Sequence, residues 1–151
     1  MAYIPEDAKW YLAWVVEEIR VEDDPRNIVH INQILIRADS SGEAYEKALE
    51  IGKQSEMTYE NTEGRRVVCS FRGLQDLQVI WDGLEHGAEL SYEEELGISA
   101  KKLKGMVREK EELGVFLSPK RPDRPNYVSK ITVKEFERAI IQGESADEIE
   151  I

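Results

Sequence analysis

Four polar residues that could act together chemically fall within eight positions of the chain: Asp82, Glu85, His86 and Glu89. A histidine beside carboxylates can accept and donate protons near neutral pH, so Asp82, His86 and Glu89 could serve a hydrolase. Neighbouring carboxylates also favour the protonated imidazole, which would make His86 responsive to pH. The same oxygens could hold a hard cation, although their order is not that of an EF-hand loop. The sequence favours the alternative, an exposed turn.

Other signatures of catalysis are missing from the sequence. No nucleophile elbow of the form GxSxG occurs, and neither phosphate-binding glycine pattern is present. Cys69 belongs to an alternating apolar run, which indicates a buried and unreactive thiol. His30 shares a predicted strand face with Ile28 and Ile34, which favours a hydrogen-bonded core or cross-strand histidine, and no close Cys/His spacing suggests zinc. We therefore predict no catalytic residue, no metal and no cofactor.

Aromatic side chains are the best indication of a binding surface. Tryptophan and tyrosine are enriched at the energetic centres of protein interfaces, and packing in the core is the alternative. The predicted partner-binding residues combine these aromatic residues with the polar group described above: Trp10, Tyr11, Trp14, Trp81, Asp82, Glu85, His86 and Glu89.

The first half of the chain predicts a β-hairpin followed by a helix. Residues 10–21 and 28–38 are rich in β-branched and aromatic types, and both faces of the first strand are apolar. A helix over 10–21 is the competing interpretation. Ser40 and Glu43 have the spacing of a capping box and predict a helix start. Gly52 predicts a left-handed stop for that helix.

The second half predicts another hairpin and then helical segments. The hairpin strands are 56–59 and 65–71, and the glycines at 73, 83 and 87 are expected to end apolar segments. Residues 88–94 are the candidate last strand. Two helices are then predicted, one over 100–113 after Ser99 and one from Thr132 to Gly143. An extended, loosely attached proline-rich link, 118–126, lies between them.

Together these elements predict an α+β fold. The expected architecture is an antiparallel sheet of four to five strands in β-β-α-β-β order, with one helix packed on a face and helices towards the C-terminus. The expected division is a core domain over 1–95, a helix over 96–117 beside it, and an arm over 118–151.

The motifs WYLA, LIRA, EAYEKALEIG, FRGLQDL and DGLEHGAELSY occur in this order between Trp10 and Glu95. Their spacing resembles that of a small bacterial domain family known only as a domain of unknown function. The resemblance implies a recurrent bacterial α+β module. That family has no assigned activity, so the resemblance transfers no catalytic residue.

Charge and composition limit the possible partners. The net charge is −11, which opposes general binding to nucleic acid or to anionic membranes. No apolar run approaches the roughly 20 residues that cross a bilayer. A single cysteine allows no internal disulfide, so we expect a cytoplasmic location. One basic stretch, 118–138, leaves nucleic-acid contact open as a third reading.

The sequence therefore predicts a non-catalytic protein-interaction module that forms a homo-oligomer. An acidic inhibitor or immunity-type protein that neutralises a basic partner is one concrete form of this prediction. A hydrolase that uses Asp82, His86 and Glu89 is the alternative.

Overall fold

The computed structural model describes residue 4, residues 7–118 and residues 123–130 of the 151-residue chain. It confirms the predicted α+β class, with four strands, one helix on a face of the sheet, and helical segments towards the C-terminus. The predicted helix from Thr132 to Gly143 lies outside the described residues. The main elements in chain order are β1 Trp10–Val21, β2 Ile28–Arg37, α1 Ser41–Gln54, β3 Met57–Glu60, β4 Arg66–Val79 and α2 Ala100–Met106.

The four strands form one antiparallel sheet in the order β2-β1-β4-β3. The aromatic strand β1 is central, so both of its edges are paired. Tyr11, for example, lies between Ile36 of β2 and Val79 of β4. The helical interpretation of residues 10–21 is wrong because their β-branched side chains fit a pleated sheet with two partner strands.

Alternate residues of β1 point to opposite faces of the sheet, which we call the helix face and the open face. On the helix face, Tyr11, Ala13 and Val15 are buried beneath α1. Farther along the same face, Ile19 and Val21 form a second buried cluster with Val67 and Cys69. The open face carries the even-numbered residues of β1.

Helix α1 begins with the predicted cap. The backbone N–H of Glu43 donates to Ser40 Oγ at 3.1 Å, while Glu43 Oε2 accepts from the Asp39 N–H at 3.3 Å. Each side chain thus satisfies a backbone donor near the helix start. Ala44 and Ala48 are fully buried against the sheet, so the helix lies close to it.

Gly52 does not stop the helix, contrary to the prediction. It lies inside α1, which continues to Gln54, and it is buried. A Cβ at position 52 would lie 2.6 Å from Cδ1 of Phe71. Close packing of the helix on the sheet therefore requires glycine at this position. The sequence pattern alone does not distinguish such a glycine from one that ends a helix.

Strand β4 runs unbroken from Arg66 to Val79, so the expectation that Gly73 ends an apolar segment is wrong. The register with β1 shifts on both sides of Val15 and Val16, and Gly73 adopts φ 130° there. Such bulges bend a strand without ending it, and glycine reaches this φ at little cost. Residues 88–94, the candidate last strand, form no strand.

A short segment, residues 126–130, covers the second buried cluster, and we call it the strap. Its attachment uses buried groups: Tyr59 Oη donates to the carbonyl oxygen of Tyr127, and Asn61 Nδ2 donates to that of Asn126 at 2.9 Å. The backbone N–H of Thr62 donates to Val128 O at 3.0 Å. The prediction that the proline-rich link is loosely attached is therefore wrong at the C-terminal end of that link, where the strap begins.

The described chain divides into two compact units, one formed by residues up to Leu90 with those from Pro125, the other by Ser91–Arg124. In the second unit, Ser99 Oγ accepts from the Lys102 N–H at 3.2 Å, which confirms the predicted cap. The predicted helix over 100–113 ends early, at Met106, and single 3₁₀ turns follow. Gly105 lowers helix propensity, and no buried side chain of α2 compensates.

Candidate functional site

The open face of the sheet carries a row of apolar side chains on β1 and β2, interrupted on β2 by Gln33. The register places Leu12 opposite Leu35 and Val16 opposite Ile31. We call this row the apolar stripe: Leu12, Trp14 and Val16 of β1 with Val29, Ile31 and Leu35 of β2. Leu12, at the end of the stripe next to Trp10, is buried, whereas Val29, Ile31 and Leu35 are 52%, 45% and 44% exposed. Since α1 and the strap both pack on the helix face, neither covers the stripe.

Charged groups border one end of the apolar stripe. Glu18, next along β1, accepts from Asn27 Nδ2 at 2.6 Å and from Arg72 Nη2 at 2.6 Å, and Arg20 lies 3.4 Å from the same carboxylate. The Asn27 hydrogen bond and then that of Arg72 hold the pKa of Glu18 below its usual range. This network keeps the carboxylate charged and partnered at the edge of an apolar surface.

A pair formed by an arginine and a tryptophan borders the other end of the stripe. The Arg37 guanidinium carbon lies 5.9 Å from the ring centre of Trp10, within the range of a cation–π contact. An apolar centre with a polar border is the general anatomy of protein interfaces, where arginine and tryptophan are enriched.

The polar group identified in the sequence lies on one exposed loop. Asp82 Oδ2 accepts from the Glu89 backbone N–H at 3.0 Å, and the Ala88 N–H donates to Glu85 O at 3.0 Å. Gly87 adopts φ 85° in this turn. The Asp82 carboxylate therefore closes the loop, and His86 and Glu89 are exposed beside it. This geometry matches the predicted turn.

The aromatic residues of the predicted surface are separated by the sheet. Trp10 and Trp14 lie on the open face, while Tyr11 is 2% exposed in the core of the helix face. Trp81 is 58% exposed and follows Ile80, whose N–H donates to Trp10 O at 3.0 Å. Trp10 and Trp81 thus lie at the same end of the sheet, where the 82–89 loop begins.

A polar cluster that the sequence did not reveal lies where the strap meets the sheet. Tyr59, Tyr127 and Cys69 line it, and the rings of His30 and Tyr127 meet edge to face at 5.5 Å. Burial, and then the Glu17 carboxylate, raise the pKa of the Cys69 thiol. Burial likewise raises the pKa of Tyr59 to about 12. Neither group is ionised near neutral pH, so the cluster offers no thiolate nucleophile.

Asn61 is the residue that this cluster most depends on. It is completely buried, and its Oδ1 accepts from the N–H groups of Glu63 and Arg65 at 2.9 Å each. In the sequence, Asn61 falls only in the connection between the predicted hairpin strands 56–59 and 65–71. The Asn61 side chain also holds the strap, through its bond to Asn126, which lies 65 residues away. No local sequence pattern connects these two positions.

Neither a metal-binding group nor a membrane-spanning helix occurs among the described residues. No group of three or more His, Cys, Asp or Glu side chains there could hold a metal ion. No helix in the same part of the chain is long and apolar enough to cross a bilayer.

The model of one protein family, Domain of unknown function (DUF4288), matches residues 10–92. The chain belongs to this family. The resemblance seen in the sequence motifs is therefore confirmed as one to a domain of unknown function. No curated protein and no solved structure matches the chain. The DUF4288 region contains all four strands, α1, the apolar stripe and the loop of Asp82, whereas the strap lies beyond its end.

Proposed function

We propose that this DUF4288 protein is a non-catalytic interaction module that works as a homo-oligomer, with the apolar stripe as its self-association surface. The observation that carries the proposal is the exposure of Val29, Ile31 and Leu35 on the open face of β2, in a row that Gln33 interrupts. The stripe is two strands wide and, from Val29 to Leu35, seven residues long, which corresponds to about 10 Å by about 23 Å. Exposed apolar patches of a few hundred Å² commonly mark interaction sites on soluble proteins.

The charges around the stripe suit a second copy of the same chain. The whole molecule has a net charge of −11, which would repel another copy at long range. The carboxylate nearest the stripe, Glu18, is neutralised locally by Arg72 and Arg20. The stripe itself contains no charge, so two copies can approach there without placing like charges in contact.

The absence of a reactive centre at the sites considered favours binding over catalysis. Cys69 stays protonated, and the loop that carries Asp82 and His86 is held by a bond from the Glu89 backbone to the Asp82 carboxylate. The hydrolase alternative would need those side chains to converge on a substrate, and all three lie exposed on the loop.

Multi-angle light scattering of the full chain tests the proposal. The wild type is expected to have a mass above the 17.4 kDa of one chain. Replacing Ile31, which is 45% exposed, by Lys places a charge in the stripe and is expected to reduce the mass to that of one chain. Tyr45→Lys is the matched control, because Tyr45 is 49% exposed on α1, away from the stripe.

Two results would overturn the proposal. One is a wild-type mass of a single chain at every accessible concentration, which would leave the stripe to a different partner, such as a basic protein. The other is a mass that Ile31→Lys leaves unchanged, or that Tyr45→Lys lowers equally. Circular dichroism of each variant shows whether the fold is retained.

A further inference from the structure

The two edges of the sheet differ in how they are protected. The β3 edge is four residues long, and the strap lies beside the turn that follows it, where Asn61 bridges Ser129 and Lys130 Nζ lies 3.6 Å from Glu60 Oε2. The β2 edge is ten residues long. Among the described residues, no backbone hydrogen bond reaches its outer side.

One hydrogen bond determines which backbone groups of β2 point outwards. The Ala38 N–H donates to Lys9 O at 2.9 Å, so even-numbered residues along this strand direct their backbone groups towards β1. The odd-numbered ones then direct theirs to the outside: Val29, Ile31, Gln33, Leu35 and Arg37. Lys47 Nζ confirms this assignment, because it donates to Arg37 O from outside the ladder at 2.8 Å.

Strand β2 lacks the features that usually keep an edge from pairing. Natural edges are blunted by proline, lysine, bulges or shortness. The segment IVHINQILIR contains no proline, glycine or lysine, and its ten-residue register with β1 has no shift. Its one charged residue, Arg37, lies at the end. No described residue hydrogen-bonds the outward backbone groups from Val29 to Leu35, so they can bind another strand.

We propose that β2 pairs antiparallel with β2 of a second copy of this chain, about a two-fold axis at Gln33. Ile31 then lies opposite the partner's Leu35, and Gln33 lies opposite its own copy. Each hydrogen-bonded pair of an antiparallel ladder shares two bonds, so the stretch from Ile31 to Leu35 forms roughly six. The inference rests on the proposed function, since it takes self-association of two copies at this part of the sheet as given. The pairing joins the two sheets edge to edge and places the β2 side chains of the two stripes beside each other.

The residues of β2 favour its own copy over a different strand. A two-fold pairing places apolar side chains of the stripe against each other, and cross-strand pairs of this kind stabilise sheets. The Gln33 amide can both donate to and accept from a second amide. Arg37 lies opposite the partner's Val29, so no like charges face each other. A basic partner would find no carboxylate on β2.

A proline substitution separates edge pairing from every other mode of association. The N–H of Gln33 points outwards, so Gln33→Pro removes a donor to the second copy and leaves the bonds to β1 intact. We expect light scattering to give the mass of two chains for the wild type and of one chain for Gln33→Pro. Gln33→Thr keeps the N–H and is expected to remain dimeric. Circular dichroism of Gln33→Pro checks that the monomer is folded.

Disulfide trapping supplies a second measurement that does not depend on how well the proline variant folds. A two-fold axis at Gln33 brings the two Cα atoms to about 5.5 Å, within the range that a disulfide spans. Gln33→Cys is expected to cross-link on mild oxidation. Glu46→Cys, on the exposed side of α1, is the control and is expected to stay uncross-linked.

The outcomes distinguish this inference from the proposed function. If Gln33→Pro keeps the mass of two chains and Gln33→Cys fails to cross-link, while Ile31→Lys still gives one chain, the edge pairing is wrong. Self-association through the stripe then stands. If the wild type has the mass of one chain, both are wrong.

Discussion

At the scale of single residues, buried polar groups determine how the end of the described chain is held. Asn61 uses its amide on three partners, and Tyr59 uses its hydroxyl on the carbonyl oxygen of Tyr127. A buried donor or acceptor left unpaired costs about 1–3 kcal/mol, so these bonds hold the strap tightly in place. The Cys69 thiol is covered by the same contacts.

The raised pKa of Tyr59 predicts a loss of stability in alkaline solution. A tyrosine in the unfolded chain ionises near pH 10, whereas the pKa of Tyr59 in the fold is about 12. The fold favours the neutral hydroxyl of Tyr59. Its contribution to stability is fully present below about pH 10 and is lost as the pH rises towards about 12. Because the side chain is partly open to solvent, we expect a loss of about 1 kcal/mol.

Denaturant unfolding across this pH range measures the effect. Tyr59→Phe loses the hydrogen bond to Tyr127 O and should be less stable at neutral pH, but its free energy of unfolding should fall less between about pH 10 and about pH 12. Tyr45→Phe, at an exposed position, serves as the control. Equal alkaline slopes for Tyr59→Phe and the wild type would contradict the assignment.

At the scale of elements, the distance between α1 and the sheet depends on small residues. Ala44, Ala48 and Gly52 line the buried side of the helix, and the ring of Phe71 lies against Gly52. Small side chains let the helix backbone approach β4 closely, and among the described residues of the unit that contains the sheet α1 is the only helix. The apolar stripe is thus a consequence of one helix packing on a sheet that is apolar on both sides.

The close approach at Gly52 predicts that its replacement is costly. Gly52→Ala forces the Phe71 ring or the helix to move, and overpacking of this kind typically costs about 1–3 kcal/mol. Gly42→Ala, in the first turns of the same helix, meets no atom within 4 Å and is expected to be neutral or to stabilise by up to about 1 kcal/mol. Free energies of unfolding in urea compare the two, and equal effects would show that Phe71 yields without cost.

At the scale of the whole molecule, the fold extends beyond the segment that defines the family. The DUF4288 match ends at residue 92, yet the strap at 126–130 covers the cluster of Ile19, Val21 and Val67. Tyr127 belongs to that cluster and closes it against β3. The family region alone therefore leaves an apolar part of the helix face open to solvent.

Truncation tests this dependence. A chain ending at Arg124 loses the strap, and we expect its free energy of unfolding to fall by about 3 kcal/mol, from one partly buried aromatic side chain and the lost hydrogen bonds. Alkylation of Cys69 should become faster, since the thiol loses its cover. A chain ending at Lys130 keeps the strap and is the control. Equal stability and equal alkylation in the two chains would mean that the strap contributes no cover.

The sequence by itself determined the features that depend on near neighbours. The capping box at Ser40, the hairpin after β1 and the turn of Asp82 were all predicted, because each uses hydrogen bonds within a few residues. The β-branched and aromatic content of residues 10–21 also predicted the strand, since such side chains fit a pleated sheet.

Tertiary structure alone decided which apolar face of β1 is covered, because alternation marks both faces alike. It placed Tyr11 in the core and left Trp10 and Trp14 on the open face. It also set Gly52 within a helix and joined Asn61 to Asn126, since those roles depend on atoms that approach only after the chain has folded. Local sequence patterns reflect hydrogen bonds between residues that are close in sequence. Which face of the sheet is covered depends on the packing of elements that are far apart in sequence.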